Sequence, residues 1–294
     1  MARSVQKRGN RTQVADRSTL PLFASAMRHL QPAEDLARVD DRPALLGTGL
    51  KSLDSALRGG FPLGDATLIA ARPKVGATSL LIGAALAALR RGEKVAYFSE
   101  RLREEQLRGR FVVLESRVNG YRFRAGFVSA EDRIALAAGR ERIPWSSLSL
   151  VTRRQIEPQE IDGHLFSYRP WLVIADVQPR AIASDSRRHD ALIAGAERLV
   201  SIARRHRVAL LTRCILPRAS HPPTRLELPG LGALADPFGA VLLLHRDEVT
   251  DPQGAPEQAA GHAEVHVLRL GGREVEPRVV PLRFDQRFAG LLDP

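Results

Sequence analysis

Residues 66–89 read Ala66-Thr67-Leu68-Ile69-Ala70, then Ala71-Arg72-Pro73-Lys74-Val75-Gly76-Ala77-Thr78, then Ser79-Leu80-Leu81-Ile82-Gly83-Ala84-Ala85-Leu86-Ala87-Ala88-Leu89. The first piece is a short apolar strand and the last a buried helix, with a turn-forming loop between them. A loop that opens a helix offers free backbone N–H groups and the positive end of the helix dipole, so the stretch reads as a phosphate-binding loop. In the working form of such a loop, G-x-x-x-x-G-K-[ST], the Lys reaches the β and γ oxygens and the hydroxyl residue holds Mg²⁺. Gly76 and Thr78 keep their places here, and Ala77 stands where the Lys belongs. The same stretch also fits an ordinary strand-turn-helix that binds nothing.

Outward from this stretch, strands and helices alternate. Leu50 to Leu57 reads as a short helix closed by Gly59-Gly60, Lys94 to Ser99 as a strand, and Glu104 to Val118 and Ala130 to Gly139 as helices. Leu148 to Val151 and Trp171 to Asp176 follow as strands around a helix near Pro158 to Phe166; Ala191 to Arg205 is amphipathic and Val208 to Thr212 a buried strand. After the Pro-rich loop Leu216 to Pro229, three strands come in succession at Ala240 to Leu244, Ala263 to Leu268 and Arg278 to Phe284. The expected fold is α/β, a mostly parallel sheet flanked by helices, with antiparallel strands added at its C-terminal edge.

The chain has 294 residues, 44% of them hydrophobic, enough for one large domain with a core of its own. Residues 1–18 carry Arg3, Lys7, Arg8, Arg11 and Arg17 and almost nothing apolar, which predicts a disordered basic tail. Residues 19–46 hold short amphipathic pieces around Phe23, Met27 and Leu30, broken at Pro32, and read as a linker that docks on a neighbour; the domain itself is expected over 47–294. The net charge of +11 suits a polyanionic partner, nucleic acid first, without saying anything of fold. Lys7, Lys51, Lys74 and Lys94 are the only lysines, so nearly all of that charge is guanidinium; genomic base composition explains the bias as readily as phosphate recognition does. Cys214 is the single cysteine, which excludes an intrachain disulfide and fits a reducing compartment. Residues 1–13 are basic without an apolar stretch behind them, and no run approaches the roughly 20 apolar residues of a membrane helix. A cytoplasmic protein with no membrane partner is expected.

Taken together, these segments resemble the C-terminal motor domain of DnaB-type replicative DNA helicases, a RecA-like fold. The likeness runs over residues 47–294 and rests on the order and spacing of Thr48-Gly49-Leu50-Lys51-Ser52-Leu53-Asp54, the loop 71–78, Tyr97-Phe98-Ser99 with Glu105-Gln106-Leu107, and Arg246-Asp247-Glu248. The resemblance implies ATP and Mg²⁺ as cofactors, held by Arg72, Pro73, Lys74, Val75, Gly76, Ala77 and Thr78, with Thr78 and Asp176 at the metal. It also implies catalytic roles for Asp176 and, by a one-residue shift, Glu100, if the site is active; without the shift the family's catalytic glutamate falls on Arg101. The family's phosphate-sensing glutamine is matched by Arg213. Its C-terminal lysine and arginine finger are matched by Arg269 and Gly271, and Pro229 and Gly230 stand in its DNA-contacting loop. One lost preorganised donor costs about 10²–10³ in rate, and a lost arginine finger about 10³–10⁵. Several losses at one site therefore imply a degenerate ATPase.

Other groups carry bland and sharp readings side by side. Lys74 is either a solvated loop residue or a relocated phosphate ligand. His262, Glu264 and His266 share one face of what reads as an edge strand, a polar solvent face or a metal site. Arg204-Arg205-His206-Arg207 ends a helix, where cations suit the dipole or bind phosphate. Cys214 and His221 share a loop without a nucleophile signature.

Three functions remain open at this point: a DNA-associated member of the family that binds or assembles without turning over ATP, an active ATP-driven helicase using Lys74, and a protein scaffold that has given up both ligands. DNA, single-stranded or duplex, is the expected partner, with self-association or a replication partner beside it. The family's N-terminal domain has no counterpart in the first 46 residues, so a complete replicative helicase is not expected.

Overall fold

The computed structural model describes residues 44–177, 186–217, 233–252 and 260–294. The basic tail with Arg3, Lys7, Arg8, Arg11 and Arg17, the docking pieces around Met27, and His221, Pro229 and Gly230 lie outside the described residues. In chain order the elements are β1 (Leu45–Leu46), α1 (Lys51–Ala56), β2 (Phe61–Pro62), β3 (Asp65–Ala71), α2 (Ala77–Arg90), β4 (Val95–Ser99), α3 (Glu104–Ser116), α4 (Gly120–Arg124) and α5 (Ala130–Arg142). They continue with β5 (Leu148–Thr152), α6 (Pro158–Tyr168), β6 (Leu172–Asp176), α7 (Ser186–His206), β7 (Ala209–Ile215), β8 (Ala240–His245), α8 (Asp247–Thr250), β9 (His262–Leu270), β10 (Arg273–Asp285) and β11 (Gly290–Leu292).

Nine strands form one sheet in the order β11-β10-β9-β8-β3-β7-β6-β4-β5. From β8 to β5 the neighbours are parallel; β9, β10 and β11 add antiparallel at the far side. The parallel strands are buried on both faces, which is why they read as unbroken apolar runs rather than alternations. Alternate residues feed two cores. Ile69, Tyr97, Ile174, Leu211 and Leu242 pack with Leu81, Ala85 and Ala88 of α2 and Phe111 of α3, while Leu68, Phe98, Val173, Leu210 and Leu243 pack with Ile161 and Leu165 of α6 and Val200 and Ala203 of α7. No described helix is long and apolar enough to cross a membrane.

The C-terminal strands differ from expectation in two respects. β9 is paired on both sides, by β8 and β10, so it is not an edge strand. β10 begins at Arg273 rather than Arg278, because Gly271 and Gly272, at φ 61° and 71°, make the tight positive-φ turn of a hairpin. Its register then breaks between Glu274 and Arg278, where Pro277 has no N–H for the ladder. Short elements such as β1, β2, α4, α8 and β11 add what periodicity does not reveal.

The last residues close onto the first helix. Leu50 offers no side chain to cap α1, and the Asp293 carboxylate instead accepts from the amides of Lys51 at 2.9 Å and Ser52 at 2.8 Å. Partial burial pushes the Asp293 carboxyl up, but those two amides outweigh it and hold it below the ordinary carboxylate value. A depressed folded value stabilises when the group is charged. Asp293→Ala is therefore expected to lower stability by about 1 kcal/mol above pH 5, and the gap from wild type to close as pH falls through the lowered value. Urea denaturation at a series of pH values measures it; an equal gap at low and neutral pH contradicts the cap.

Candidate functional site

Parallel strands bring their carboxyl ends to one edge, and there β3, β7, β6 and β4 stand side by side. Ile69 of β3 is opposite Arg213 of β7, Thr212 opposite Ala175 of β6, and Asp176 opposite Ser99 of β4. Open α/β sheets place their ligands outside this edge. Loop 72–76 leaves β3 here and turns into α2 with Lys74 at φ 71° and Gly76 at φ 117°. No side chain caps α2, so its first amides face outward for another acceptor, and the geometry suits an anion.

The loop is braced from beneath. Arg72 and Val75 are buried, and Arg72 Nε donates to the Pro217 carbonyl at 3.1 Å. Lys74 is exposed, Gly76 and Thr78 are half-buried, and the Ala77 methyl is buried, so no cation reaches out from position 77. A Cβ on Gly76 would lie 3.0 Å from Cε2 of Phe284 in β10, a tight contact added to the strain of a side chain at φ 117°. The Arg246 guanidinium stacks on the Phe284 ring, 3.7 Å from its centroid, and donates to Glu248. Glu248 also accepts from the Gly261 amide at 3.1 Å and Gln286 Nε2 at 2.9 Å. Arg246 and Glu248, two of the residues that carried the resemblance, thus fasten the ring that supports the loop.

The centre of the edge is Asp176, 1% exposed at the end of β6. Arg213 Nε donates to its Oδ1, and the Tyr97 hydroxyl donates to Oδ2 at 3.5 Å. Burial pushes the Asp176 carboxyl up and the Arg213 guanidinium pulls it back. Burial, then the Asp176 charge, raises the Tyr97 phenol well above its ordinary value and keeps it a donor. Arg101 is held below the usual guanidinium value by desolvation and then by Arg213, and Arg110 by desolvation and then by Arg124. Cations thus gather around one buried carboxylate. In the sequence Tyr97 reads as a strand residue, Arg110 falls within a helix and Arg124 between two helices; no local pattern marks them as site groups.

A divalent ion does not fit Asp176 as it stands. Such an ion needs carboxylate oxygens open to it; here one holds a guanidinium, whose charge repels a second cation, and the other a hydroxyl. Glu100 is no freer. Its Oε1 accepts from the Ile156 amide at 2.8 Å, and its own amide donates to the Asp176 carbonyl at 3.3 Å. The loop's backbone suits phosphate, while the charges that the resemblance would place around it are not at positions 77 or 271.

The remaining candidates are placed elsewhere. Gly271 lies at the tip of the β9–β10 turn with open space where a side chain would be, and Arg269 Nη1 is 3.5 Å from Asp236 Oδ1. His266 Nε2 is 3.0 Å and His262 Nδ1 4.0 Å from Glu264, yet no group of three suited to a metal occurs among the described residues. In the run 204–207, Arg205 and His206 bind Asp162 of α6 at 2.6 and 2.8 Å, tying α7 to its neighbour. Burial pushes the Cys214 thiol up to about 12, which leaves it a thiol at neutral pH.

The family model described as DnaB-like helicase C terminal domain matches residues 46–291. Over 218 residues the chain is 29% identical to "Replicative DNA helicase DnaB" of Treponema pallidum (strain Nichols), covering 69% of this chain and 48% of that protein. Over 220 residues it is 26% identical to "Replicative DNA helicase DnaC" of Bacillus subtilis (strain 168), covering 70% and 48%. The chain spans about half the length of the curated relatives it matches. Among solved structures, "The Structure Of A DnaB-Like Replicative Helicase And Its Interactions With Primase" shares its fold at a TM-score of 0.74, 18% identical and covering 96% of this chain and 68% of that one. A solved ATPase domain matches at the same TM-score of 0.74, 19% identical and covering 95% and 99%.

Removing one partner of a buried pair leaves the other charged, dry and alone. Asp176→Ala is therefore expected to cost about 3–5 kcal/mol. Arg213→Gln added to it should restore part of that loss, because the stranded guanidinium is gone. A double-mutant cycle by urea denaturation measures the coupling; additive losses would mean that the two side chains do not depend on each other.

Proposed function

The chain belongs to the family of DnaB-like helicase C-terminal domains, and from that premise we propose that it is a nucleic-acid-associated, RecA-like subunit that turns over ATP weakly or not at all. It serves on this reading to bind or to assemble, in replication or a related DNA transaction. One observation carries the reading: the carboxylate that would meet a metal is already joined to Arg213. Ala77 and Gly271 support it, since each puts a neutral group where a triphosphate would need a cation, and Arg101 puts a cation where the catalytic glutamate would stand. An enzyme disabled at a single position would keep the others.

The net charge of +11 supports a polyanionic partner, with residues 1–18 as one contact and residues 19–46 as the segment that meets a neighbouring subunit. Family motors hold nucleotide between subunits, and head-to-tail contacts of that kind close into rings or continue as filaments. With no cation at 77 or 271 to clamp a phosphate across such an interface, assembly would depend on packing more than on ATP.

Purified protein is expected to hydrolyse ATP no faster than an Asp176→Asn control. A DNA-stimulated rate on the order of 1 s⁻¹ that the control lacks would establish an active motor instead, and Lys74→Ala would then tell whether that lysine replaces the missing one.

Binding to single-stranded DNA is expected to be salt-sensitive and nearly independent of sequence. Each phosphate contact contributes about −0.7 to −0.9 to the log–log salt slope, so deleting residues 1–18 should make the slope shallower. Titrations of the full and shortened chains followed by fluorescence anisotropy test this; an unchanged slope removes the tail from the interface, and no binding at low salt favours a scaffold without nucleic acid.

A further inference from the structure

Asp176 and Arg213 lie at adjacent strand ends, both nearly without solvent, and Arg213 Nε donates to Asp176 Oδ1. Arg213 Nη2 is buried and has no hydrogen-bond partner among the described residues. A guanidinium carries its donors in a fixed planar fork, so the nitrogen left over after the carboxylate is engaged is a charged donor waiting for an acceptor. A buried, unpartnered donor costs stability unless something meets it.

We infer that Arg213 is a built-in substitute for the divalent ion: it closes Asp176 to metal and leaves the edge of the sheet able to take a phosphate-bearing anion, a nucleoside triphosphate in the first instance, without Mg²⁺. The inference rests on the reading of residues 72–78 as a nucleotide loop and adds to it how the ligand's charge is met.

Three observations converge on it. The α2 amides supply neutral donors at the loop, as they would for any phosphate. Arg213 and Arg110 lie close enough to Arg101 to add to the desolvation that holds it below the usual guanidinium value, and Asp176 is the carboxylate that acts on both Arg101 and Arg110. An arriving anion relieves that repulsion, whereas an arriving divalent cation would add to it. Tyr97, held neutral by burial, donates a hydrogen bond to the other oxygen of Asp176 at 3.5 Å, so both oxygens already face a donor.

The test is equilibrium binding of labelled ATP to the full chain in MgCl₂ and in EDTA, together with Mn²⁺ uptake read from its electron paramagnetic resonance in the presence of ATP. Wild type is expected to bind ATP equally in both solutions and to take up no Mn²⁺ at the protein. Arg213→Gln, which frees Asp176, is expected to weaken binding in EDTA by about tenfold or more, to regain Mg²⁺ dependence, and to take up Mn²⁺. ATP bound about tenfold more tightly with Mg²⁺ by the wild type overturns the inference, as does an Arg213→Gln variant that behaves like wild type. Because the wild-type comparison needs no variant, it stands even where Arg213→Gln does not fold. No ATP bound in either solution overturns the ligand assignment and the nucleotide-loop reading together, while Mg²⁺-dependent binding overturns only the substitution and leaves the hydrolysis and DNA measurements to judge the proposed function.

Discussion

A carboxylate and a guanidinium taken out of water together organise the carboxyl edge of this molecule. Asp176 and Arg213 are 1% and 5% exposed, and neither charge is tolerable there without the other, since an isolated ion in the interior costs far more than a hydrogen bond returns. The parallel pairing of β6 with β7 makes the meeting possible, because it carries both strand ends to the same edge. Burial shifts Tyr97, Arg101 and Arg110 first; the Asp176 charge then adds to the rise of Tyr97, Arg213 adds to the lowering of Arg101, and Arg124 to that of Arg110. What the edge presents is a buried carboxylate with the Arg213 and Arg101 guanidinium groups close enough to act on it.

The loop of residues 72–76 is governed by a different constraint. Gly76 adopts a left-handed conformation against the face of Phe284, which Arg246 covers and Glu248 anchors through Gly261 and Gln286. The shape of the loop is thereby set by strands that come some 200 residues later in the chain, at the antiparallel side of the sheet. Shape and charge have separate origins here. The backbone shape of the loop is maintained by packing against Phe284.

Much of the architecture was legible because buried parallel strands leave long apolar runs and β3 and α2 carry both a strand pattern and a helical one. The three-strand C-terminal run announced the antiparallel addition. Residues that escaped were those with too little length to show a period, such as α4 with five residues and β1 with two, or those where turn chemistry extended a strand past a proline, as at Arg273. At the site, Ala77 and Arg213 were visible as departures from a pattern. That Arg213 spans 37 positions to reach Asp176 was not, because it depends on which strands are neighbours and in what register. Tyr97 and Arg110 were invisible as site groups for the same reason: one is an ordinary strand aromatic and the other an ordinary helix charge until the fold sets them beside a buried acid.

The pairing of Arg213 with Asp176 also limits which single substitutions this edge of the sheet tolerates. A neutral side chain at position 213 leaves a dry carboxylate without its cation, at a cost of several kcal/mol, and a neutral side chain at position 176 leaves a dry guanidinium, so the two positions tolerate change together far better than singly.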